Sequence, residues 1–395
     1  MNKYIVFIFL LIAFSSKGQV SVTLDSAIAS AMRTHPQIQF SQQEIEQQKA
    51  LKRGSFNLEN PSLGMEAPYG KKFEFGVQQN FQNPVIYIQQ AKLGKQNVLL
   101  SESNQQVTKW QLIRDVRTVY LNMQYAEIRV KQLSYQDSIF HNLFVAAERR
   151  YNAGDAGLLE KVSAETKSKE IENFFKQAKA DLQNAQLQLQ LITGLKDVTI
   201  SSKDEITKTT TTIPIEIKLD STAISQSPLL SYFEQNTLVN KQNLRLQKSK
   251  VLPGLSIGYL NQVGSEQPTN FRMRYGVTLP LWFWTYSSQI KAAKYQYQMS
   301  QSQYAIAQKT YSSEYTQALN DFSKYSSSLN YFEQTGLQQA DTIISTAKRS
   351  YDAGEISYII YMQSLNQAFE IKLSYIETIR NYNQSIIELN YLKGQ

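Results

Sequence analysis

Polar and apolar positions change rhythm several times along this chain, and each change marks an element. From about Val85 to Tyr151, and again from about Tyr286 to Tyr351, no proline interrupts a run with apolar residues near helical spacing. In the first run the stripe is Leu99, Trp110, Leu112, Ile113, Val116, Tyr120 and Met123, interleaved with Gln, Asn and Thr. A globular core needs a wider stripe. A narrow one suits a hollow helical wall wetted on both faces, and a soluble coiled-coil hairpin would carry the same pattern. At 1.5 Å per residue, roughly 65 helical residues reach on the order of 100 Å. Shorter helical stretches follow at about Leu158–Leu195 and Tyr358–Leu392. Near the start, Leu24-Asp25-Ser26-Ala27 opens a helix running to about Phe56, with Asp25 or Ser26 as the expected N-cap.

Between helices the period drops to two. Phe271, Met273, Tyr275, Val277 and Leu279 alternate with Arg272, Arg274, Gly276 and Thr278. Phe73, Phe75 and Val77 alternate with Glu74, Gly76 and Gln78, and Leu255, Ile257 and Tyr259 with Ser256 and Gly258. Such strands have one wet face and one dry face. A half-buried soluble sheet is one reading. The other is a membrane-crossing sheet, because the strands read as about the 9–11 residues that cross an outer membrane at a tilt. Four strands cannot close a barrel, and an open edge cannot face lipid, so several chains would have to share one.

The whole pattern is written twice. Arg149-Arg150-Tyr151-Asn152-Ala153-Gly154-Asp155 recurs about 200 residues later as Arg349-Ser350-Tyr351-Asp352-Ala353-Gly354-Glu355. Gly76-Val77 recurs as Gly276-Val277 and Gly194 as Gly394, while Leu24-Asp25-Ser26, Pro36 and Pro61 pair with Leu219-Asp220-Ser221, Pro228 and Pro253. The expected halves are 19–195 and 215–395. Their strand pairs fall at about 61–81 and 253–281, and their helix reversals at about 149–157 and 349–357. Residues 196–214, rich in Ser and Thr, read either as a linker or as a small subdomain.

Composition narrows the setting. Lys3, the apolar run Tyr4–Phe14 and a small, polar exit to Gly18 read as a secretory leader over residues 1–18; an amphipathic first helix is the alternative. The chain has no cysteine, which excludes disulfides, thiolate metal sites, a cysteine nucleophile and a lipid-modified cysteine. A formal charge of +8 spread over 395 residues points only weakly to nucleic acid, and an exported address argues against it. The aromatic and lysine-rich stretch Lys291–Tyr297 fits a helix emerging at a membrane rim as well as it fits nucleic acid. Neither of the 2 histidines, His35 and His141, has a partner at ligand spacing. Met32, Met123 and Met362 read as packing residues. No G-x-S-x-G, H-E-x-x-H or P-loop occurs, so no enzyme and no cofactor is expected.

Leader, helix, strand pair, long helical hairpin with an R-x-Y-x-x-G tip, and all of it again: this order resembles the TolC-like outer-membrane efflux proteins. His35-Pro36-Gln37-Ile38 and the closing Ile192-Thr193-Gly194 and Leu392-Lys393-Gly394 are similar to that family's pattern. The resemblance implies a mainly α fold with a transmembrane β-barrel contribution. It implies a homotrimer with a 12-stranded barrel in outer-membrane lipid, continued by a helical tunnel through the periplasm. At the tips a periplasmic adaptor would dock and connect the tunnel to an inner-membrane pump. The tip residues so implied are Arg149, Tyr151, Gly154, Asp155, Arg349, Tyr351, Gly354 and Glu355. Tyr351 stands where family members use a tyrosine to hold the tip closed. Those members carry an arginine two residues after the glycine and carboxylates six and nine after it. Here those places hold Ile356, Ile360 and Gln363, and in the first half Ala156, Glu160 and Ser163. Glu160 is thus the one acid matching the constriction, with an ordinary solvated charge as its alternative. The lean loops look closer to the family's cation-efflux branch. The rival readings are a periplasmic adaptor, which would show one long hairpin, and a secretion or polymer-export duct of the same fold.

Overall fold

The computed structural model describes residues 20–66, 73–196, 198–200, 206–209, 227–261 and 272–394. The leader, the expected helix start at Leu219 and residues 262–271, with Phe271 of the expected strand, lie outside the described residues.

A short strand β1 (Val20–Val22) leads into α1 (Leu24–Thr34) and α2 (Pro36–Arg53). Strands β2 (Ser62–Glu66) and β3 (Glu74–Phe81) precede α3 (Pro84–Ala153) and α4 (Leu158–Thr193). After β4 (Val198–Ile200) the series repeats as α5 (Pro228–Ser249), β5 (Gly254–Asn261), β6 (Met273–Thr278) and α6 (Phe283–Tyr331). A π turn (Phe332–Gly336) then joins α6 to α7 (Leu337–Asp352), and α8 (Tyr358–Lys393) closes the chain.

Proline and glycine set these limits. Pro36, Pro84 and Pro228 stand in the first turn of their helices, where a missing N–H costs nothing. Asn83 and Ser227 cap two of them, their side chains accepting from the amides of Val85 and Leu230. Four glycines at equivalent places, Gly154, Gly194, Gly354 and Gly394, take positive φ and end α3, α4, α7 and α8. With 70 residues, α3 spans about 105 Å. It lies against α2 near the sheet, against α1 around its middle and against α4 towards its far end, while α6 and α7 are flanked by α5 and α8.

Three details differ from the sequence reading. The first N-cap is Thr23, not Asp25 or Ser26: its backbone N–H donates to the Ser26 hydroxyl (3.0 Å), and its side chain accepts from the Ser26 amide (3.3 Å). The first helix also breaks at His35, whose extended backbone before Pro36 ends α1; its Nδ1 caps α2 by accepting from Gln37. The described strands are shorter than 9–11 residues, at 5, 8, 8 and 6.

The four strands form one antiparallel sheet in the order β2-β3-β5-β6, so the pairing of β3 with β5 joins the two halves. Register places Met65 opposite Phe75, Val77 opposite Tyr259, and Ile257 opposite Tyr275, all on one face. That face is apolar and exposed: Leu63 is 81% and Tyr275 77% accessible. The opposite face carries Gly64, Gly76, Gln78, Ser256, Gly258 and Arg274.

Cores are narrow seams between helices. In α3, Leu112, Val116, Tyr120 and Met123 are buried against α1 and α4, while Leu99, Trp110 and Ile113 are half-buried. A second seam gathers Tyr311, Tyr315, Leu329, Ile379, Tyr382 and Leu389 of α6 and α8. Between the halves, β4 pairs in parallel with β1, and residues 206–209 lie across the second seam. There Asn383 accepts from the Thr209 amide and donates to the Thr207 carbonyl, and Lys208 pairs with Glu333 at 2.9 Å beside the π turn. Among the described residues no helix is long and apolar enough to cross a membrane.

Candidate functional site

Both long hairpins reverse at one end of the molecule, through the same turn. Gly154 sits at φ 82° and Gly354 at φ 77°. The Gly154 amide donates to Tyr151 O (3.0 Å) and the Asp155 amide to Arg150 O (2.8 Å). In the second hairpin Gly354 donates to Tyr351 O (3.0 Å) and Glu355 to Ser350 O (2.8 Å). These bonds satisfy the last carbonyls of α3 and α7 in Schellman fashion.

The side chains around the two turns differ. The Arg150 guanidinium donates through Nη1 to Glu160 Oε1 (2.8 Å) and to the Tyr351 hydroxyl (3.2 Å), tying the first hairpin to the second. Glu160 is largely buried, its side chain 17% accessible. The Tyr351 ring stacks on Tyr361 at 4.8 Å and 6°, and meets Tyr358 edge-on at 5.9 Å. At the matching places of the first hairpin, Lys161 lies 5.2 Å over the Tyr151 ring and pairs with Glu148 at 3.3 Å. Beneath the turns, Phe140, Ala147, Ala164, Ile171, Leu365 and Phe369 form a shared core. Tyr358 is buried in it with its hydroxyl unpaired among the described residues. Burial drives the Tyr358 phenol well above its ordinary range, and the neighbouring Tyr351 and Glu160 add to the rise. Burial raises Tyr361 as well, with Asp352 and Tyr351 adding to it.

Of the residues singled out in the sequence, Tyr351 and Glu160 meet here. Gly154 and Gly354 make the turns. Arg149, Asp155, Arg349 and Glu355 point outward at the end of the molecule, exposed and without an ion pair among the described residues. Tyr151 is exposed beside them. Sequence reasoning missed Arg150, Tyr358 and Tyr361. A signal was present in the repeat itself: Arg150 faces Ser350 in the alignment, and Leu158-Leu159-Glu160-Lys161 faces Tyr358-Ile359-Ile360-Tyr361.

At the other end stands the open-edged sheet with its exposed apolar face. The architecture is thus a duplicated helix–hairpin unit with an exposed apolar sheet at one end and paired helical tips about 100 Å away, held by narrow seams rather than by one globular core. Residues 219–395 match the family described as outer membrane efflux protein. The match covers the second part of the chain, and the first part repeats the same elements. No curated protein matches in sequence. In fold it is similar to the outer-membrane channel OprN (TM-score 0.80, 12% identity, covering 94% of this chain and 89% of that one). It is also similar to the CmeC outer membrane channel of Campylobacter jejuni (0.75, 16%, 97% and 90%). CusC, studied for conformational changes accompanying folding and transmembrane channel formation, is a further likeness (0.76, 15%, 95% and 92%).

Proposed function

We propose that this outer-membrane protein is the exit duct of a tripartite efflux system. In this reading it is a homotrimer that receives substrates from an inner-membrane pump through a periplasmic adaptor. The observation that carries the reading is the sheet. Its edge strands β2 and β6 have no outer partner among the described residues, and its exposed face is apolar. Unpaired edges are too costly in hydrocarbon, so β6 of one copy must pair with β2 of the next. Four strands alternate direction, so this head-to-tail contact stays antiparallel and closes as a ring. Three copies give a barrel of twelve strands, an even number within the range of bacterial outer-membrane barrels. The presence of two long hairpins, not one, weighs against an adaptor. A duct needs no catalytic group, because the pump supplies the energy.

At the tips, the exposed Arg149, Asp155, Arg349 and Glu355 offer an adaptor charges of both signs with which to pair. The Arg150–Glu160–Tyr351 contacts hold the two hairpins together until it docks, a bistable element biased by a partner. Thiol labelling tests the topology, since the chain has no cysteine of its own. With a membrane-impermeant reagent, Ser265→Cys reacts in intact cells and Asp155→Cys only after permeabilisation. If both react only after permeabilisation, the barrel reading fails. Arg349→Glu abolishes export while trimers persist; normal export would overturn the docking assignment.

A further inference from the structure

Where the helices meet the sheet, the helix ends are rich in lysine and arginine, and the connection from α2 to β2 carries one acid, Glu59. Residues 84–101 carry Lys92 and Lys95 and no acid, and residues 283–313 carry Lys291 and Lys294, with Lys309 further on, and again no acid. The descending helices end likewise, α2 with Lys52-Arg53 and α5 with Lys248 and Lys250. Lys92 and Lys291 each stand about two turns, or 12 Å, beyond the start of α3 and α6. Retention of the same spacing in both halves makes this a collar.

In the first half the collar adjoins an apolar groove. Gly94 lets α2 close on α3: a Cβ there would lie 3.3 Å from Lys52 Cα. That approach brings Lys52 beside the turn of α3 that carries Lys92 and Lys95; Lys52, Arg53, Lys92 and Lys95 are all exposed with no ion pair among the described residues, and Glu46 lies within electrostatic reach of Arg53. Directly towards the sheet, an apolar groove of about 880 Å³ is lined by Phe56, Tyr87, Ile88 and Ala91 and by strand residues such as Ile257 and Val277. Ile88 and Ala91 precede Lys92 and Lys95 by one turn, so tail-sized apolar space and exposed positive charge are adjacent. Trp282 and Trp284, exposed and with ring centroids 5.2 Å apart, follow β6 at the same level. Tryptophan at that height is the mark of a membrane–water boundary.

We propose that this collar binds an anionic phospholipid of the periplasmic leaflet, with an acyl chain in the groove and the phosphate on Lys52, Arg53, Lys92 and Lys95. The inference rests on the barrel reading above, which puts this level at the inner rim of the bilayer. Juxtamembrane lysines and arginines are each attracted to an anionic surface. Screening weakens that attraction as the Debye length shrinks.

The test reconstitutes the full chain in phosphatidylcholine vesicles containing a trace of brominated phosphatidylglycerol or brominated phosphatidylcholine. Quenching of tryptophan emission is then read. Trp282 and Trp284 report the collar, whereas Trp110 sits 26 residues into α3, about 39 Å away. The anionic lipid is expected to quench with roughly tenfold preference at low salt, falling towards parity at high salt. The preference should also vanish in the combined Lys52→Gln, Arg53→Gln, Lys92→Gln, Lys95→Gln variant. Soluble inorganic phosphate at matched ionic strength should not compete, which separates a lipid site from a free-anion site. Equal quenching by the two lipids overturns the proposal. So does a preference unchanged in the variant, which would place these side chains towards the lumen or under a neighbouring copy. Absence of quenching by either lipid would instead sink the barrel reading.

Discussion

The two helical tips share a backbone and divide the chemistry. Each reverses through a glycine near φ 80° with the same pair of hydrogen bonds. Yet the first tip holds Arg150, Glu160 and Lys161 where the second holds Ser350, Ile360 and Tyr361. The first contributes charge, the second aromatic surface, and the bond from Arg150 to Tyr351 joins them. Duplication preserves what the turn geometry demands and frees the rest. Two hairpins that meet across unlike surfaces can hold each other in a way that two identical ones could not.

The sharpest way to break this comparison is to make the first tip like the second. Arg150→Ser removes the donor to both Glu160 and Tyr351 and leaves a largely buried carboxylate without its cation. Breaking such a pair costs more than the pair contributed, because the remaining charge stays desolvated. Single-channel conductance in planar bilayers should rise by about an order of magnitude as the tips part, a population shift of roughly 1.4 kcal/mol. Glu160→Gln, which keeps an acceptor for Arg150, should give a smaller rise. Unchanged conductance in Arg150→Ser would remove the Arg150 contacts from the gating account.

A second comparison asks where the tips are alike. Gly154 and Gly354 both face open space, so an added Cβ would meet nothing, and only the left-handed backbone resists a side chain. Gly154→Ala and Gly354→Ala should therefore cost the same, about 1–2 kcal/mol each. Amide hydrogen exchange in the last turns of α3 and α7 would measure it. Clearly unequal losses would mean that the surroundings, and not the shared turn, set the cost.

This division also explains what could be read in advance. Helix limits were legible at Pro84, Gly154, Gly194, Gly354 and Gly394, because those residues constrain the backbone by themselves. The duplication was legible for the same reason. His35-Pro36 was readable as a break, since proline disfavours helix in the residue before it, but the apolar pattern on both sides suggested one helix. The capping role of Thr23 was hidden by two better-known cap residues just after it. Strand ends were not marked, because the alternating pattern runs on into the loops. Choosing between Arg149 and Arg150 needed the helix's rotation about its own axis. Neighbouring residues differ by about 100° there, and only packing against α4 and α8 decides which one faces inward. Tyr358 gave no sign because its counterpart is Leu158.

The smallest expected effect concerns that tyrosine. A buried hydroxyl without a partner costs stability, so Tyr358→Phe should leave the tip unharmed or firmer by about 1 kcal/mol. The pH dependence gives a second reading. Burial raises the Tyr358 phenol above the value near 10 that it has in an unfolded chain. A raised pKa means that the folded tip keeps the proton while the unfolded chain loses it. Its contribution is thus complete below about pH 10 and drains away as pH climbs higher. Tyr361 shares this behaviour, so Tyr358→Phe should lessen the alkaline loss without abolishing it. Exchange rates at the tip, followed from neutral to strongly alkaline pH in both proteins, would show the difference. If the phenylalanine form is weaker at neutral pH, the hydroxyl has found a partner in the assembled channel. The second tip would then contribute a second polar contact beside the Tyr351 hydroxyl, and the separation of charge from aromatic surface would be less complete than the single chain shows.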